Sequence, residues 1–398
     1  MFEMNSFRPY SFFTLFHCNK YLYMGQLNNQ KHAMHRPMTK PQDSSVETPG
    51  AGAGEIHVYA GTAGHSAWFS DDLGWTWVHP NSHSGMYLEA RVWTYSAHPR
   101  QPDTMLAGTD EGVYRWDEVH ARWTCLNKDL GDVWALAHDP ADPRIVFAGT
   151  RPAGLYRSQD GGGTWTELAV PNISKFSDVN MGPTRVTQIL FDPVDTDTLW
   201  ATIEIGGIYR SKDRGDTWEM FTEGLLSADV HGIAVARTPQ GARRVFASTN
   251  RGLHVSDDDG ALWRFVEVDS PWQYARAVVV KEGSPSTLFL ANGNGPPGND
   301  GRLFRSDDGG DSWVRLHLPG DLNSTVWCVA THCSNPDLLF TCTNLGQVFR
   351  SFDGGIHWER LPHEFGEIRA LYWREVPRGT RQASHSITRR VEKAPTTP

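Results

Sequence analysis

The chain of 398 residues has 39% hydrophobic and 21% charged residues, with 38 Gly, 24 Pro and 16 Trp. This composition supplies enough apolar material for a sizeable core and excludes a disordered chain. No apolar run reaches 18 residues, which excludes a helical membrane span, and the net charge of −9 argues against nucleic acid as the main partner.

Residues 1–54 differ in composition from the rest of the chain and are predicted to form a flexible leader. Their apolar stretch, Tyr10 to Phe16, is short and is preceded by charges of both signs, so a secretory signal is not expected. The native chain could also start at Met34 or Met38. Five Cys at spacings that match no zinc site predict buried thiols in the cytoplasm, with no metal and no cofactor.

One motif recurs through the body of the chain: Ser, any residue, Asp, any residue, Gly, two of any kind, Trp. Its six intact copies end at Trp77, Trp165, Trp218, Trp263, Trp313 and Trp358. A decayed seventh copy, around Glu118, retains only its Trp at position 123. These seven Trp stand 42 to 53 residues apart, which identifies an internal repeat of seven units.

Each unit contains four short apolar runs separated by turn residues. Around one motif, the runs centre on Val133, Val146 and Leu155, and the fourth starts at Trp165. Four antiparallel strands per unit of ~40–50 residues, repeated radially, are typical of a β-propeller. The sequence therefore predicts an all-β, seven-bladed propeller of four-stranded antiparallel blades over residues 55–374.

The two ends of the body predict how the ring closes. The run from Ile56 matches a second strand, so the first unit lacks a first strand. The run from Glu367 to Trp373 matches a first strand and is predicted to complete the first blade, which leaves no open sheet edge. Residues 375–398 are predicted to be a disordered basic tail, and the propeller is expected to be a monomer.

Within the motif the Asp can accept backbone N–H groups in the turn, and the Gly can adopt a positive φ. The Trp can fill the gap between blades. The six copies resemble the Asp-box, or BNR, repeat of sialidases, xyloglucan-cleaving hydrolases, sortilin-type receptors and a photosystem II assembly factor. This resemblance to WD40/YVTN-like repeat proteins implies the propeller fold and places the motif away from any active site.

Aligning the innermost strands predicts a ring of side chains at the channel mouth. One row contains Trp93, Trp134, Thr187, His231, Arg276, Trp327 and Arg369. Two residues earlier stand Arg91, Asp132, Arg185, Asp229, Tyr274, Thr325 and Glu367. Residues i and i+2 share a strand face, so both rows could meet there. Alternatively, the Trp rings pack between blades and the charges pair with one another.

The long loops on the same face carry further candidates. They contain Arg151, Glu204, Trp272, Asn292, Asn294 and Asn344. Together with the Arg, Trp and His of the ring, these residues (Glu204 excepted) are predicted to bind a ligand, because aromatic rings stack on sugars and Arg forks hold carboxylates. The candidates for catalysis are Asp229, Glu367, Asp132, Glu204 and Tyr274.

The main hypothesis is a binding or scaffold propeller that takes a glycan or a protein segment on the long-loop face. The alternative is a glycoside hydrolase, sialidase-like or glucan-cleaving, with a carboxylate pair at the channel mouth. Sialidases have six blades, and xyloglucan-cleaving enzymes place their acids between two propellers, so both resemblances are partial. A protein-assembly factor is a third hypothesis.

Overall fold

The computed structural model describes residues 54–101, 103–179 and 182–380. The predicted leader, apart from Gly54, and the predicted tail beyond residue 380 lie outside these ranges. The described residues form 29 β-strands. They form no helix, and so none that could span a membrane.

Six of the sheets are blades of four antiparallel strands that are consecutive in sequence. The second and third blades contain β3 (Val92–Ser96), β4 (Thr104–Thr109), β5 (Gly112–Asp117) and β6 (Arg122–Asn127), then β7 (Asp132–His138), β8 (Val146–Arg151), β9 (Leu155–Ser158) and β10 (Thr166–Glu167). A short hairpin, β11 (Phe176–Ser177) and β12 (Gly182–Pro183), precedes the fourth blade.

The remaining four-stranded blades follow the same order. The fourth and fifth contain β13 (Arg185–Phe191), β14 (Leu199–Glu204), β15 (Gly207–Ser211), β16 (Glu219–Met220), β17 (Val230–Arg237), β18 (Arg243–Thr249), β19 (Gly252–Ser256) and β20 (Arg264–Val266). The sixth and seventh contain β21 (Tyr274–Val280), β22 (Leu288–Gly293), β23 (Gly301–Ser306), β24 (Val314–Leu316), β25 (Val326–Ala330), β26 (Leu339–Thr343), β27 (Gln347–Ser351) and β28 (Glu359–Glu364).

The first blade combines both ends of the described chain. Strand β1 (Glu55–Thr62) pairs on one side with β2 (Ala67–Ser70) and on the other with the last strand, β29 (Ile368–Val376). The predicted closure by the C-terminal run is thus confirmed. The blade differs from the predicted four strands, because only a single bridge between Phe69 and Val78 stands in the fourth position.

The first strands of the seven blades contact one another in a closed ring, from β3 through β7, β13, β17, β21 and β25 to β29 and back to β3. They surround the central channel. The apolar core lies between neighbouring blades, where Phe147 and Leu155 of the third blade pack with Tyr209 and Trp218 of the fourth. The motif Trp therefore fills the gap between blades, as predicted.

The Asp-box motif is a turn held by its own polar side chains. In the third blade, Ser158 Oγ accepts the Gly162 N–H at 2.9 Å and donates to Asp160 Oδ1 at 2.8 Å. Asp160 accepts the Thr164 N–H, and this backbone hydrogen bond is the main reason why its pKa falls to about 2. Trp165 Nε1 donates to the Gly162 carbonyl. These bonds confirm a structural role for the motif aspartate.

The Gly of the motif is required because it touches the preceding blade, whereas Gly161, at the variable position before it in the third blade, does not. A Cβ on Gly310, whose φ is +90°, would stand 2.3 Å from Cζ of Phe246. A Cβ on Gly161, at φ +78°, would meet nothing within 4 Å. We expect Gly310→Ala to lower the free energy of unfolding by about 1–3 kcal/mol more than Gly161→Ala, because it adds overpacking to the shared backbone strain. Urea unfolding of both variants measures this difference, and equal losses would contradict the packing argument.

A buried polar cluster takes the place of the decayed motif copy and joins the first and last strands of the described chain. Glu118 accepts hydrogen bonds from Tyr59 Oη at 2.6 Å, Trp116 Nε1 at 2.8 Å and an Arg374 guanidinium nitrogen at 2.6 Å. His57 Nδ1 lies 2.7 Å from Oε1, the second carboxylate oxygen of Glu118. We call these five residues the closure network. It joins β1, β29 and the second blade in an environment from which water is excluded.

Cys328 and Cys342 face each other across neighbouring strands. They are register partners in β25 and β26, with sulfur atoms 3.3 Å apart, and both are free thiols. Burial raises the pKa of Cys342 well above its usual value. A buried thiol of this kind is protonated and behaves as a small apolar side chain.

Candidate functional site

A β-bulge in each first strand presents one residue of the predicted ring. In the third blade, Val133 pairs with Thr150 and Ala135 with Gly149, so Trp134 is the extra residue. The same interruption occurs in all seven blades, and the extra residues are Trp93, Trp134, Thr187, His231, Arg276, Trp327 and Arg369. Bulges change the direction in which a side chain points. Here the bulged residues are the seven that alignment of the first strands placed in one row.

Six of the ring residues form a continuous chain of contacts that we call the Trp–Arg belt: Arg276, Trp327, Arg369, Trp93, Trp134 and Arg185. The guanidinium of Arg276 lies 4.1 Å from the Trp327 ring, and that of Arg369 lies 4.9 Å from Trp327 and 5.8 Å from Trp93. Cation–π contacts of this length are attractive, more so when desolvated.

The faces of Trp134 are both occupied. The Trp93 ring is stacked on it at 3.9 Å, with an interplanar angle of 14°. The Arg185 guanidinium lies 4.1 Å from the same ring centroid, and two groups this close cannot share one face. The expectation that Trp134 stacks on a sugar therefore does not fit, because its rings hold Arg185 and Trp93 instead.

The predicted catalytic acids are mostly paired with basic neighbours. Glu204 forms an ion pair with Arg185, and Glu367 with Arg369. Asp229 lies 3.4 Å from His231 Nε2. The His231 ring in turn packs at 4.8 Å from Tyr274, and its Nδ1 is 2.8 Å from the Ala275 carbonyl. This pairing follows the alternative in which the ring charges neutralise one another.

Asp132 differs from the other candidate acids because it has no ion pair among the described residues. Trp93 Nε1 donates to its Oδ1 at 2.6 Å. Burial raises the pKa of Asp132 above its usual value, and the charge of Asp110 adds to the shift, while the Trp134 and Trp93 indoles and the charge of Arg151 oppose it. A carboxyl group of this kind can hold a proton at a pH where an exposed Asp has lost it.

Asp110 is a candidate site residue that the sequence did not single out. Its Oδ1 accepts the Tyr87 hydroxyl and the backbone N–H of Arg91, while its Oδ2 has no partner within the described part of the chain. Asp110 lies in the turn between β4 and β5, which is the same loop set that carries Arg151 and Glu204. Its place in that set was the signal that could have identified it.

The predicted loop residues divide into buried braces and exposed groups. Asn292 is 1% exposed and donates to the carbonyls of Trp272 and Tyr274, and Asn344 is 2% exposed, beside the Ile368 carbonyl. Their amides are not presented to solvent.

The exposed groups of these loops can still meet a ligand. Asn294 bonds within its own loop to Asn299. Trp272 is 39% exposed, with its Nε1 anchored on Asp300 at 2.8 Å. The indole of Trp272 is therefore a ring on this face that a sugar can reach. The side chain of Arg91 is exposed, and Arg151 points its Nε toward the Pro183 carbonyl.

A cavity of about 800 Å³ lies at the other end of the first strands. It is lined by the turn after β3, including His98, by His332 and Cys333 after β25, and by Arg374 of the last strand. It is separate from the Trp–Arg belt, which lies where the first strands begin. In the ranges that the structure covers, no group of three His, Cys, Asp or Glu side chains could hold a metal ion.

No protein-family model matches the chain. Among curated proteins it is similar to a xyloglucanase of Paenibacillus sp, with 25% identity over 257 residues, which cover 54% of this chain and 25% of the relative. It is also similar to an oligoxyloglucan-reducing end-specific xyloglucanase of Emericella nidulans (28% identity; 43% and 23%) and a xyloglucanase of Acetivibrio thermocellus (27%; 63% and 34%). The chain thus spans about a quarter to a third of these relatives.

Two solved structures share the fold. The crystal structure of an ancestral GH74 enzyme matches with a TM-score of 0.55 at 15% identity, over 74% of this chain and 39% of that one. The GH74 xyloglucanase from Xanthomonas campestris matches with a TM-score of 0.52 at 22% identity, over 70% and 46%. Identities this low establish the propeller fold alone.

Proposed function

We propose that this propeller is a glycoside hydrolase that acts on a β-glucan, with Asp132 as the general acid. The observation that carries the proposal is the placement of Asp132, a half-buried carboxyl group at the channel mouth that has no ion pair among the described residues and lies close enough to Asp110 for its charge to raise the pKa of Asp132 further. The sequence similarity to xyloglucanases supports the choice of a glucan. This is the alternative in the sequence analysis, and these observations favour it over binding without chemistry.

Glycoside hydrolysis needs one carboxyl group that is protonated and one that is not. Asp132 would donate its proton to the glycosidic oxygen as the bond to the anomeric carbon breaks. Asp110, whose Oδ2 has no partner among the described residues, would activate water or attack the anomeric carbon. The exposed ring of Trp272, on the same face, offers a platform on which a sugar farther along the glucan could stack.

A second candidate function is glycan binding without hydrolysis. It is favoured by the ion pairs of Glu204 and Glu367, because a carboxylate held by an Arg is not free to act as an acid or a nucleophile. In this case the same face would hold the glucan chain and release it intact.

Incubating the protein with xyloglucan and counting new reducing ends tests the proposal, while Trp fluorescence reports binding in the same samples. New reducing ends that disappear in Asp132→Asn would support the hydrolase. A fluorescence change with an unchanged chain length would support the binding function. If neither signal appears with xyloglucan or with cellotetraose, both functions are contradicted.

A further inference from the structure

We infer that Arg276 forms a subsite for a carboxylate group, so that the substrate of this face is a glucan carrying uronic acid residues. The inference rests on the proposed function, because it names the class of glucan. It concerns the side of the channel mouth formed by the sixth, seventh and first blades, away from Asp132 and Asp110.

Arg276 is the member of the Trp–Arg belt whose charge is not paired. Arg185 has Glu204 and Arg369 has Glu367 as ion-pair partners. No carboxylate of the described residues lies within ion-pair distance of Arg276. The nearby Asp229 is instead 3.4 Å from His231. A partly buried guanidinium without a counter-ion costs free energy, which an anionic ligand would recover.

The three arginines also act on one another. Burial lowers the pKa of Arg185, and the charge of Arg276 lowers it further against the effect of Glu204. Burial lowers the pKa of Arg369 to about 10, and the charges of Arg276 and Arg185 contribute in spite of Glu367. The unpaired charge of Arg276 therefore acts on both of the other arginines. It makes this region of the channel mouth attractive to an anion.

Further buried donors of the Trp–Arg belt lack acceptors. The Nε atoms of Arg185, Arg276 and Arg369 are buried and have no hydrogen-bond partner in the structure. The same holds for Nε1 of Trp327, a residue that is only 3% exposed and on which Arg276 is stacked. Buried polar groups are normally satisfied. An oxyanion bound by the Arg276 guanidinium would bring an acceptor to a belt that is rich in unsatisfied donors.

The geometry of Arg276 suits a carboxylate. Its stem leaves the bulge of β21, and its guanidinium is held against an aromatic ring, so little side-chain freedom remains to be lost on binding. A fixed planar fork matches the two oxygens of a carboxylate. A sugar of a β-glucan offers this group when its C6 is oxidised to the acid.

Two ligands of equal length isolate this group: a β-1,4-linked glucuronic acid tetramer and cellotetraose, which differ only at C6. We expect calorimetry to show that the full chain binds the acidic tetramer about 10- to 100-fold more tightly, the range for one charge-assisted contact. Arg276→Met should remove this preference, so that the two tetramers bind with similar affinity. Added salt should weaken only the binding of the acidic tetramer.

Arg115→Met provides the matched control, because Arg115 is an exposed side chain of β5 outside the Trp–Arg belt, and it should keep the preference. Equal affinities for the two tetramers, or a preference that survives in Arg276→Met, would overturn the inference. Xyloglucan hydrolysis that continues in that case leaves the proposed function standing. Absence of both binding and hydrolysis would contradict the proposed function together with the inference.

Discussion

Replacing Glu118 by Gln is expected to lower the free energy of unfolding by about 3–5 kcal/mol, the usual cost of removing one partner of a buried ion pair. The change keeps the size of the side chain but leaves the Arg374 guanidinium buried without its counter-charge. Since Arg374 belongs to the closing strand, the loss should appear as easier opening of the ring. Urea unfolding monitored by Trp fluorescence measures it.

The pH dependence of stability is a second test of the role of Glu118. Burial opposes ionisation of Glu118, but the hydrogen bond from His57 and the charges of His57 and Arg374 hold its pKa well below the usual value. A depressed pKa stabilises the fold fully above about pH 4.3, the value for an unfolded Glu. This contribution is lost as the pH falls toward the folded pKa, and Glu118→Gln should lack that loss.

Glu111→Gln is the control for this prediction. Glu111 makes an exposed ion pair of 3.4 Å with Lys128, and removing such a pair costs less than about 1 kcal/mol. The double variant Glu118→Gln with Arg374→Met should lose less than the sum of the single variants, because both remove one interaction. Full additivity, or a loss no larger than that of the control, would show that the closure network does not hold the ring.

Replacing Asp132 by Asn is expected to lower the rate of glucan hydrolysis by about 100- to 10,000-fold, the contribution of a general acid. Asn has the same shape and can still accept the Trp93 hydrogen bond, so binding should be retained. Asp110→Asn should cause a comparable loss. Asp129→Asn changes an exposed aspartate three residues earlier and should leave the rate unchanged.

The raised pKa of Asp132 also predicts how activity and stability depend on pH. Because the general acid must be protonated, the hydrolysis rate should fall as the pH rises through that pKa. The folded state holds this proton longer than the unfolded chain does, so its stability falls as the pH rises from about 3.9, the unfolded value, to the folded pKa. At pH 7, Asp132→Asn should therefore melt at the same or a higher temperature.

This combination separates a catalytic role from a structural one. A structural aspartate would lower the melting temperature when replaced, whereas a catalytic one in a raised-pKa environment would not. Hydrolysis that persists in Asp132→Asn, or that falls equally in Asp129→Asn, would rule out Asp132 as the acid. Glu204, Asp229 and Glu367 would then need to be tested in the same way.

The fold could be predicted from the sequence because its signals are local. The seven Trp at regular spacing, the turn chemistry of Ser158, Asp160 and Gly162, and the match of the last run to a missing first strand all lie within single repeats. The resulting prediction of seven blades closed by the C-terminal strand is confirmed. Alignment of the repeats also identified the row of ring residues, since equivalent strand positions occupy equivalent places around a closed ring.

The chemistry of the site was decided by contacts between segments far apart in the chain. In the sequence Glu118 is only a residue of a decayed motif copy. In the folded protein it accepts a hydrogen bond from Arg374, which is 256 residues away. The sequence suggests that Trp134 is a platform for a sugar, but Trp93 and Arg185 cover its two faces in the folded protein. Asp110 becomes a candidate only because its charge acts on Asp132. Spacing determines which strand a residue belongs to. Which side chains meet across two blades depends on bulges and packing, which exist only once the ring has closed.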